Sequence, residues 1–251
     1  MKTFFVFRFS EMGTDTVEIV KAKSDKSIKC EDHKKMIVDM LLGISGAHSP
    51  FEVYCDWIEC MAIGISNASQ IRHDEVWQER EDAYKRIMNR YTPEERFKMM
   101  DMTALLPLAM EEKVGDILGE IFMECKFGNS AGGQFFTPFH VSELLSELSV
   151  SISEDHKTTI PIHEPTCGSG GTIIAAAKSI MKKGVNFQKY MDVVAQDLDW
   201  RCVYMCYVQL SLYGIKAIVV QGDTLAQPYT GPGSIPRRNI LITPAKAGAL
   251  I

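Results

Sequence analysis

Hydrophobic and polar positions follow two different periods along this chain. Near its start, Phe5, Phe7 and Phe9 occupy every second position. A period of two is typical of a strand with one buried face, so residues 3–21 predict a β-hairpin. We assign residues 1–30 to this hairpin and the polar linker that follows it.

From residue 31 to 127 the period lengthens to that of a helix. Apolar residues recur three and four positions apart, first at Met36, Ile37, Met40 and Leu41. Ser49-Pro50 and Thr92-Pro93 each place a capping side chain before a proline, which indicates the start of a helix. The region predicts a helical domain, and we find no candidate chemistry in it.

After residue 128 short apolar runs alternate with helical patterns. A glycine-rich loop at 128–133 comes first, then a helix that carries Val141 and Leu148. The predicted strands are 160–163, 191–196, 216–220 and 239–243, with helices at 171–183 and 199–213 between them. Strands that alternate with helices predict an α/β fold with a mostly parallel, doubly wound sheet over residues 128–251.

The segment Glu164–Gly171, with the sequence EPTCGSGG, joins a predicted strand to a predicted helix. Its glycines let the backbone approach a ligand closely, and the start of the helix presents free N–H groups to a carboxylate or phosphate. Alone this signal is weak, because ordinary helices often begin after a glycine.

Two acidic residues follow the next two strands. Asp197 ends the second predicted strand, where a carboxylate can accept hydrogen bonds from ribose hydroxyls, although an acid there also serves as a helix cap. Asp223 follows the third strand, where it can bind an adenine amine or simply form a turn. Because parallel strands end at one edge of the sheet, the glycine turn and these two acids together predict a site for a nucleoside cofactor.

Composition narrows the class of protein. The net charge of −5 argues against independent tight binding to nucleic acid. Seven scattered cysteines without a C-x-x-C pair predict reduced thiols in a cytoplasm, and Cys202 and Cys206 predict core packing rather than a metal pair. No apolar run reaches the length of a membrane span, so we predict neither a metal nor a membrane partner.

In this order the motifs resemble those of the modification (methyltransferase) subunit of type I restriction systems, a family of N6-adenine DNA methyltransferases. The resemblance is carried by Gln134–Pro138 (QFFTP), Glu164–Gly171, Gln196-Asp197-Leu198 and Gly222–Leu225. It implies a Rossmann-like S-adenosylmethionine-dependent fold, here with a partial parallel sheet after the helical domain and the hairpin.

The resemblance also implies the cofactor, S-adenosylmethionine, and a role for each matched residue. The segment before the glycine turn would flank the cofactor, with Thr137 near its carboxylate, and Glu164 could contact its ammonium group. Asp197 would bind the ribose, Leu198 the adenine ring and Asp223 the adenine amine. The implied cofactor-binding residues are Gln134, Phe135, Phe136, Thr137, Pro138, Glu164, Thr166, Cys167, Gly168, Ser169, Gly170, Asp197, Leu198 and Asp223.

The family's catalytic motif, Asn-Pro-Pro followed by Phe or Tyr, is not found in the 251 residues. At the corresponding place, after the fourth predicted strand, the chain has Thr243-Pro244-Ala245-Lys246. Thr243 and Pro244 therefore form a degenerate catalytic position without the aromatic ring that stacks on a flipped base. We predict no catalytic residue in the chain.

The resemblance implies that DNA is reached through a partner specificity subunit. Strand 239–243 would leave an apolar edge, and we expect the hairpin or a partner chain, in a homo- or hetero-oligomer, to cover it. Three hypotheses stay open: an adenine methyltransferase that needs a partner, a catalytically inactive cofactor-binding module that acts by association, and a fragment without an independent role.

Overall fold

The computed structural model describes residues 30–44, 46–130, 135–150 and 159–248 of the chain. The predicted hairpin 3–21 lies outside these residues, as do Gln134 and the connection 151–158. Within the described part, helices make up the first half and an α/β unit the second.

The first half begins its helices where the sequence signals predicted. Ser49 and Thr92 each accept a hydrogen bond from a backbone N–H three residues on, and Glu52 and Glu95 bond back to the cap. The helices are α1 (Cys30–Leu42), α2 (Pro50–Ala68), α3 (Glu75–Met88), α4 (Pro93–Glu112), α5 (Ile117–Glu124) and α6 (Phe127–Ser130). The short α6 shows that the predicted loop was wrong over 128–130.

The second half alternates strands and helices, and all four predicted strands are confirmed. Its elements are α7 (Phe139–Ser149), β1 (Ile160–Glu164), α8 (Gly171–Lys182), α9 (Phe187–Tyr190), β2 (Met191–Asp197), α10 (Trp200–Leu212), β3 (Lys216–Gln221), β4 (Ile240–Ile242) and α11 (Pro244–Ala247). A 3-10 turn at Arg237–Asn239 precedes β4. Among the described helices, none is both long and apolar enough to cross a membrane.

The sheet has the order β1-β2-β3-β4. The first three strands are parallel, with Val193 opposite both Ile162 and Ala217, while β4 runs antiparallel to β3 with Leu241 opposite Val219. The predicted α/β fold and mostly parallel sheet are confirmed. A doubly wound sheet adds strands on both sides of β1. Here each successive described strand lies farther from β1 on the same side, so the doubly wound order was wrong for these strands.

The two halves share one hydrophobic core that runs from α1 to β4. Helix α10 packs between α2 and β3, so the same helix covers the sheet and anchors the helical half. Tyr54 on α2 is fully buried at this seam, and its hydroxyl donates to the carbonyl oxygen of Leu118 at 2.8 Å. Satisfying that buried hydroxyl lets a large aromatic ring pack at the junction without a desolvation penalty.

The outer edge of β4 is covered by side chains of the same chain. Arg80 on α3 donates from Nη2 to the carbonyl oxygen of Ile240 at 2.9 Å, and the hydroxyl of Tyr207 donates to the carbonyl oxygen of Ile242 at 3.2 Å. The expectation that the hairpin or a partner chain covers strand 239–243 stays a prediction, because the hairpin lies outside the described residues. The edge carbonyls already have donors, so an oligomer is not needed to satisfy them.

Candidate functional site

A cavity of about 200 Å³ lies at the carboxyl edge of β1 and β2. Its walls come from the segment before α7, the glycine turn after β1, the end of β2 and the residue that precedes α5. The lining residues are Asp116, Phe135, Phe136, Thr137, Ser142, Thr166, Cys167, Gly168, Ser169, Gly171, Thr172 and Asp197. Motifs far apart in the sequence therefore meet at one concave surface, as ligand sites in such sheets do.

The glycine turn has a backbone that requires glycine. Gly168 and Gly170 have φ values of +52° and +94°, in the left-handed region. A Cβ on Gly170 would lie 3.2 Å from Sγ of Cys206. Gly170 is also the N-cap of α8 and offers no capping side chain, so the first N–H groups of that helix can bind an anionic group such as a carboxylate.

Asp197 at the end of β2 faces the glycine turn. Its Oδ2 accepts a hydrogen bond from the N–H of Gly168 at 2.9 Å, and its Oδ1 accepts one from the N–H of Asp199 at 3.0 Å. An ionised carboxylate has about four acceptor positions, so roughly two remain for ligand hydroxyls. The side chain of Leu198, 67% exposed, follows at the same edge without lining the cavity.

The segment before α7 supplies one wall. The ring of Phe136 packs 5.0 Å from the ring of Phe122, which ties this wall to α5. Phe135 and Thr137 are exposed and line the cavity, whereas Pro138 occupies the N-cap of α7 and does not. Gln134 lies outside the described residues.

Two predicted acidic residues are not among those that line the cavity. Glu164 accepts hydrogen bonds from the hydroxyl of Thr172 at 2.9 Å and from the N–H of Thr166 at 3.3 Å. Asp223 uses Oδ1 to accept from the N–H groups of Leu225 and Ala226 at 2.9 and 3.1 Å, which is the turn that the sequence offered as its alternative. Neither lines the cavity, and their contacts with a ligand stay predictions.

Four lining residues are absent from the predicted set: Asp116, Ser142, Thr172 and Gly171, of which only Gly171 was recognised as part of the glycine turn. Asp116 is the N-cap of α5, a role that its position before Ile117 could have indicated. Ser142 is buried, and its Oγ has no hydrogen-bond partner among the described residues. Nothing in the local sequence of α7 marks Ser142, because only the packing of α7 against α8 directs it to the cavity.

Asp116 connects the helical half to the glycine turn. The hydroxyl of Ser169 donates to its Oδ2 at 2.5 Å, while Gln209 on α10 donates to Oδ1 at 2.8 Å. The amide of Gln209 also donates to the carbonyl oxygen of Ser169 at 2.8 Å. The hydroxyl of Ser169 thus faces the protein interior. Desolvation by burial raises the pKa of Asp116 above its ordinary value.

Cys167 lies beneath the turn as a packing residue. Its thiol is buried, and a hydrogen bond with Cys206 together with burial raises the pKa of Cys167 well above the ordinary value. Such a thiol is protonated and a poor nucleophile. Cys202 and Cys206 are fully buried in the core, and no group of three or more potential metal ligands occurs in the described part of the chain.

Thr243 lies at the other edge of the sheet. Because β4 is antiparallel to β3, its end reaches the start of β3, where Thr243 is fully buried. Its Oγ1 accepts from the N–H of Ala217 at 2.9 Å and donates to the carbonyl oxygen of Ile215 at 2.7 Å. Thr243 and Pro244 are not among the residues that line the cavity, and their correspondence to the family's catalytic position stays a prediction.

Comparisons with known proteins identify the family of the chain. The family model described as N-6 DNA Methylase matches residues 111–240, just over half of the chain. The type I restriction enzyme MpnII methylase subunit of Mycoplasma pneumoniae is 25% identical over 108 residues, which are 42% of this chain and 19% of that protein. The chain therefore spans about a fifth of the length of this curated relative.

Among solved structures, the chain is similar to the type I restriction-modification system methyltransferase subunit from Streptococcus thermophilus. The identity is 14%, the TM-score is 0.46, and the match covers 82% of this chain and 61% of the other. The family match includes the glycine turn, Asp197 and Asp116, the residues that meet at the cavity. The chain belongs to the N-6 DNA methylase family.

Proposed function

We propose that the cavity binds S-adenosylmethionine and that the chain serves as the cofactor-binding part of an adenine-specific DNA methyltransferase of the type I restriction-modification kind. The observation that carries the proposal is the meeting of Gly168 and Asp197 at 2.9 Å on the cavity wall. It brings the uncapped start of a helix and a partly free carboxylate to one ligand site.

The residues present fit this cofactor. Ser142 offers a buried hydroxyl without a partner among the described residues, which a polar ligand atom can satisfy. The first turn of α8 suits the cofactor's carboxylate, Asp197 suits its ribose hydroxyls, and exposed Leu198 suits a flat apolar ring. When bound, S-adenosylmethionine supplies an electrophilic methyl group.

The chain's own residues would orient that ligand and shield one side of it. Phe135, exposed beside the cavity, can close over the ligand, while Phe136 is held by Phe122 as a fixed wall. Asp223 and Leu225 belong to a turn tied to the glycine turn by the hydroxyl of Thr224, which donates to the carbonyl oxygen of Pro165 at 2.6 Å. This link supports the proposal that the turn receives the adenine end.

Methyl transfer to DNA needs groups that these 251 residues do not contain. No Asn-Pro-Pro-aromatic segment is present, and Thr243 is buried away from the cofactor edge. We therefore propose that base recognition and the catalytic amide come from outside this sequence, with DNA reached through a specificity subunit. The free thiols of six described cysteines suit a reducing compartment, and we place the activity in the cytoplasm.

A second candidate function is a cofactor-binding module without catalysis. The placement of Thr243 favours it, because a residue that holds β3 and β4 together cannot also accept a hydrogen bond from a target base. Both candidates require cofactor binding and differ only in methyl transfer.

Calorimetric titration with S-adenosylmethionine tests the shared requirement. We expect the parent protein to bind and Asp197→Ala to bind at least about tenfold more weakly, because the ribose loses a charged acceptor. Asp192→Ala, on the same strand but paired with Lys246 at 2.7 Å and outside the cavity lining, is the matched control and should bind as the parent does. No binding by the parent would refute both functions.

Transfer of a radiolabelled methyl group to unmethylated DNA separates the two functions. The assay is run with the protein alone, with a type I specificity subunit, and with that subunit together with a subunit that contains the Asn-Pro-Pro-aromatic motif. We expect transfer only in the presence of added subunits that contain the catalytic motif. Absence of transfer with every such partner would favour the module without catalysis.

A further inference from the structure

The carboxylate of Asp116 is buried without a cationic partner. The residue is 4% exposed, and its hydrogen-bond donors are the N–H of Gly119 at 2.9 Å, the amide of Gln209 and the hydroxyl of Ser169. Within the described residues no Lys, Arg or His side chain pairs with it. A buried carboxylate that lacks a counter-charge costs stability, so its place beside a cavity calls for a cation supplied by the ligand.

The charges of the cavity support a cationic ligand. Asp116 and Asp197 are the charged residues in its lining, and no basic side chain is among the lining residues. Two carboxylates around a small cavity attract a positively charged group and repel the phosphates of an ordinary nucleotide. The two acids belong to different parts of the cavity wall. Asp197 ends β2, whereas Asp116 packs against Ser169 and Gly171 of the glycine turn.

Glu164, which the sequence suggested for the ammonium group, is engaged elsewhere. Its two oxygens accept hydrogen bonds from Thr166 in the glycine turn and from Thr172 at the start of α8, and it is not among the lining residues. Asp116 is the acid that does line the cavity at the glycine turn. A Cβ on Gly171 would lie only 2.9 Å from Oδ2 of Asp116, so the missing side chain leaves this oxygen close to the backbone of the turn.

We propose that Asp116 is the anionic contact for the α-ammonium group of the bound methyl donor and so determines the specificity of the cavity for a ligand with a cationic amino-acid end. This inference rests on the proposed function. S-adenosylmethionine and S-adenosylhomocysteine both carry the ammonium group, whereas 5′-methylthioadenosine keeps the adenosine end and lacks it. Since 5′-methylthioadenosine lacks the carboxylate as well, the series separates a role of Asp116 at the amino-acid end from a role in supporting the whole site.

The experiment is a calorimetric titration of the 251-residue chain with these three compounds. We expect Asp116→Asn to weaken both amino-acid ligands by about tenfold or more and 5′-methylthioadenosine by less than about twofold, since only an ion contact is lost. Ser169→Ala keeps the carboxylate but removes a charge-assisted hydrogen bond to it, so we expect weaker binding with the preference for the two amino-acid ligands over 5′-methylthioadenosine retained.

Tyr213→Phe is the matched control for disturbance of this segment. The Tyr213 hydroxyl donates to the carbonyl oxygen of Gly115 at 2.8 Å, next to Asp116 but away from the cavity lining. We expect this variant to bind all three ligands as the parent does. Circular dichroism and thermal unfolding establish that each variant is folded.

Three results would overturn the inference. Asp116→Asn with unchanged affinities, or with an equal loss for all three ligands, would make Asp116 only a support of the glycine turn. If Asp116→Asn does not fold, the parent is titrated with the deaminated analogue of S-adenosylhomocysteine, which keeps the carboxylate and lacks the ammonium group. Binding weaker by about tenfold or more supports the ion contact, and an unchanged affinity overturns it. If the parent protein binds none of the ligands, the proposed function itself is refuted. If the parent binds all three, the proposed function is retained even when the results exclude the role of Asp116.

Discussion

Arg80 on α3 and Ile240 on β4 are 160 residues apart in the sequence and joined by a hydrogen bond of 2.9 Å, from Nη2 to the carbonyl oxygen. The guanidinium also donates from Nη1 to the hydroxyl of Ser66 at 2.7 Å. One side chain of the helical half therefore closes the edge of the sheet. The same contact holds β4 in place beside β3.

Arg80→Ala should destabilise the protein and expose the edge of β4. We expect a loss of about 1.5–3 kcal/mol in the free energy of unfolding, because removal of the charged guanidinium leaves the half-buried carbonyl of Ile240 without a hydrogen-bond donor. Urea unfolding measures this loss, and sedimentation velocity should show self-association through the open edge. Arg238→Ala, which removes an exposed contact with Glu79 at 3.9 Å, should cost less than about 1 kcal/mol. Equal effects of the two changes would contradict the covering role of Arg80.

Gly170→Ala should cost more stability than Gly184→Ala. Both glycines have positive φ, +94° and +77°, so both changes incur the left-handed penalty of about 1–2 kcal/mol. Only the new Cβ at 170 meets a neighbour, Sγ of Cys206 at 3.2 Å, whereas the space around Gly184 is open. Urea unfolding of the two variants should differ by about 1–2 kcal/mol. Indistinguishable values would show that the turn can relax away from α10.

Thr243→Val should reduce stability and leave cofactor binding unchanged. Valine has a similar shape but removes the hydroxyl that bonds Ala217 and Ile215, so we expect a loss of about 1–3 kcal/mol. Thermal unfolding measures the loss, and calorimetry with S-adenosylmethionine should give the affinity of the parent. Weaker cofactor binding by a stably folded variant would contradict the placement of Thr243 at the opposite edge.

Asp116 should contribute to the pH dependence of the free energy of unfolding. Its pKa in the folded protein is raised above the ordinary value of 3.8, so the folded state binds more protons than the unfolded state in the window above that value. This contribution to stability is complete below the unfolded pKa and is lost as pH rises through the folded pKa. Asp116→Asn lacks this contribution, because an amide does not titrate.

Urea unfolding of the parent and of Asp116→Asn across this pH window measures this contribution. The parent should lose stability relative to the variant as pH rises, and the difference should level off once the carboxylate is ionised. A difference that is flat with pH, or that slopes the other way, would show that the carboxylate is ionised throughout.

Much of the fold follows from signals within a few residues of each other. Ser49-Pro50 and Thr92-Pro93 begin helices where a cap and a proline predict them, and apolar periodicity predicts all four strands. The glycine turn was recognisable because Gly168 and Gly170 adopt backbone conformations that other residues resist. Short elements such as α9 were missed, since four residues are too few to show a period.

The residues that line the cavity were predictable only in part. Asp197 was identified from its place after a strand, and the structure brings it to the glycine turn as expected. Asp116 was not identified, because its contact with Ser169 joins residues 53 positions apart and depends on how α5 packs against α10. The direction of β4 could not be predicted from the sequence either, and this direction places Thr243 at the edge of the sheet opposite the cavity.

The sequence by itself determined the longer helices, the four described strands, the glycine turn and the family to which the chain belongs, since caps, periodicity and backbone preference act locally. The tertiary structure alone decided the order and direction of β4, the closure of its edge by Arg80 and the burial of Asp116 beside the cavity. Those features arise from long-range packing, in which a side chain's role depends on distant residues that no local pattern reveals.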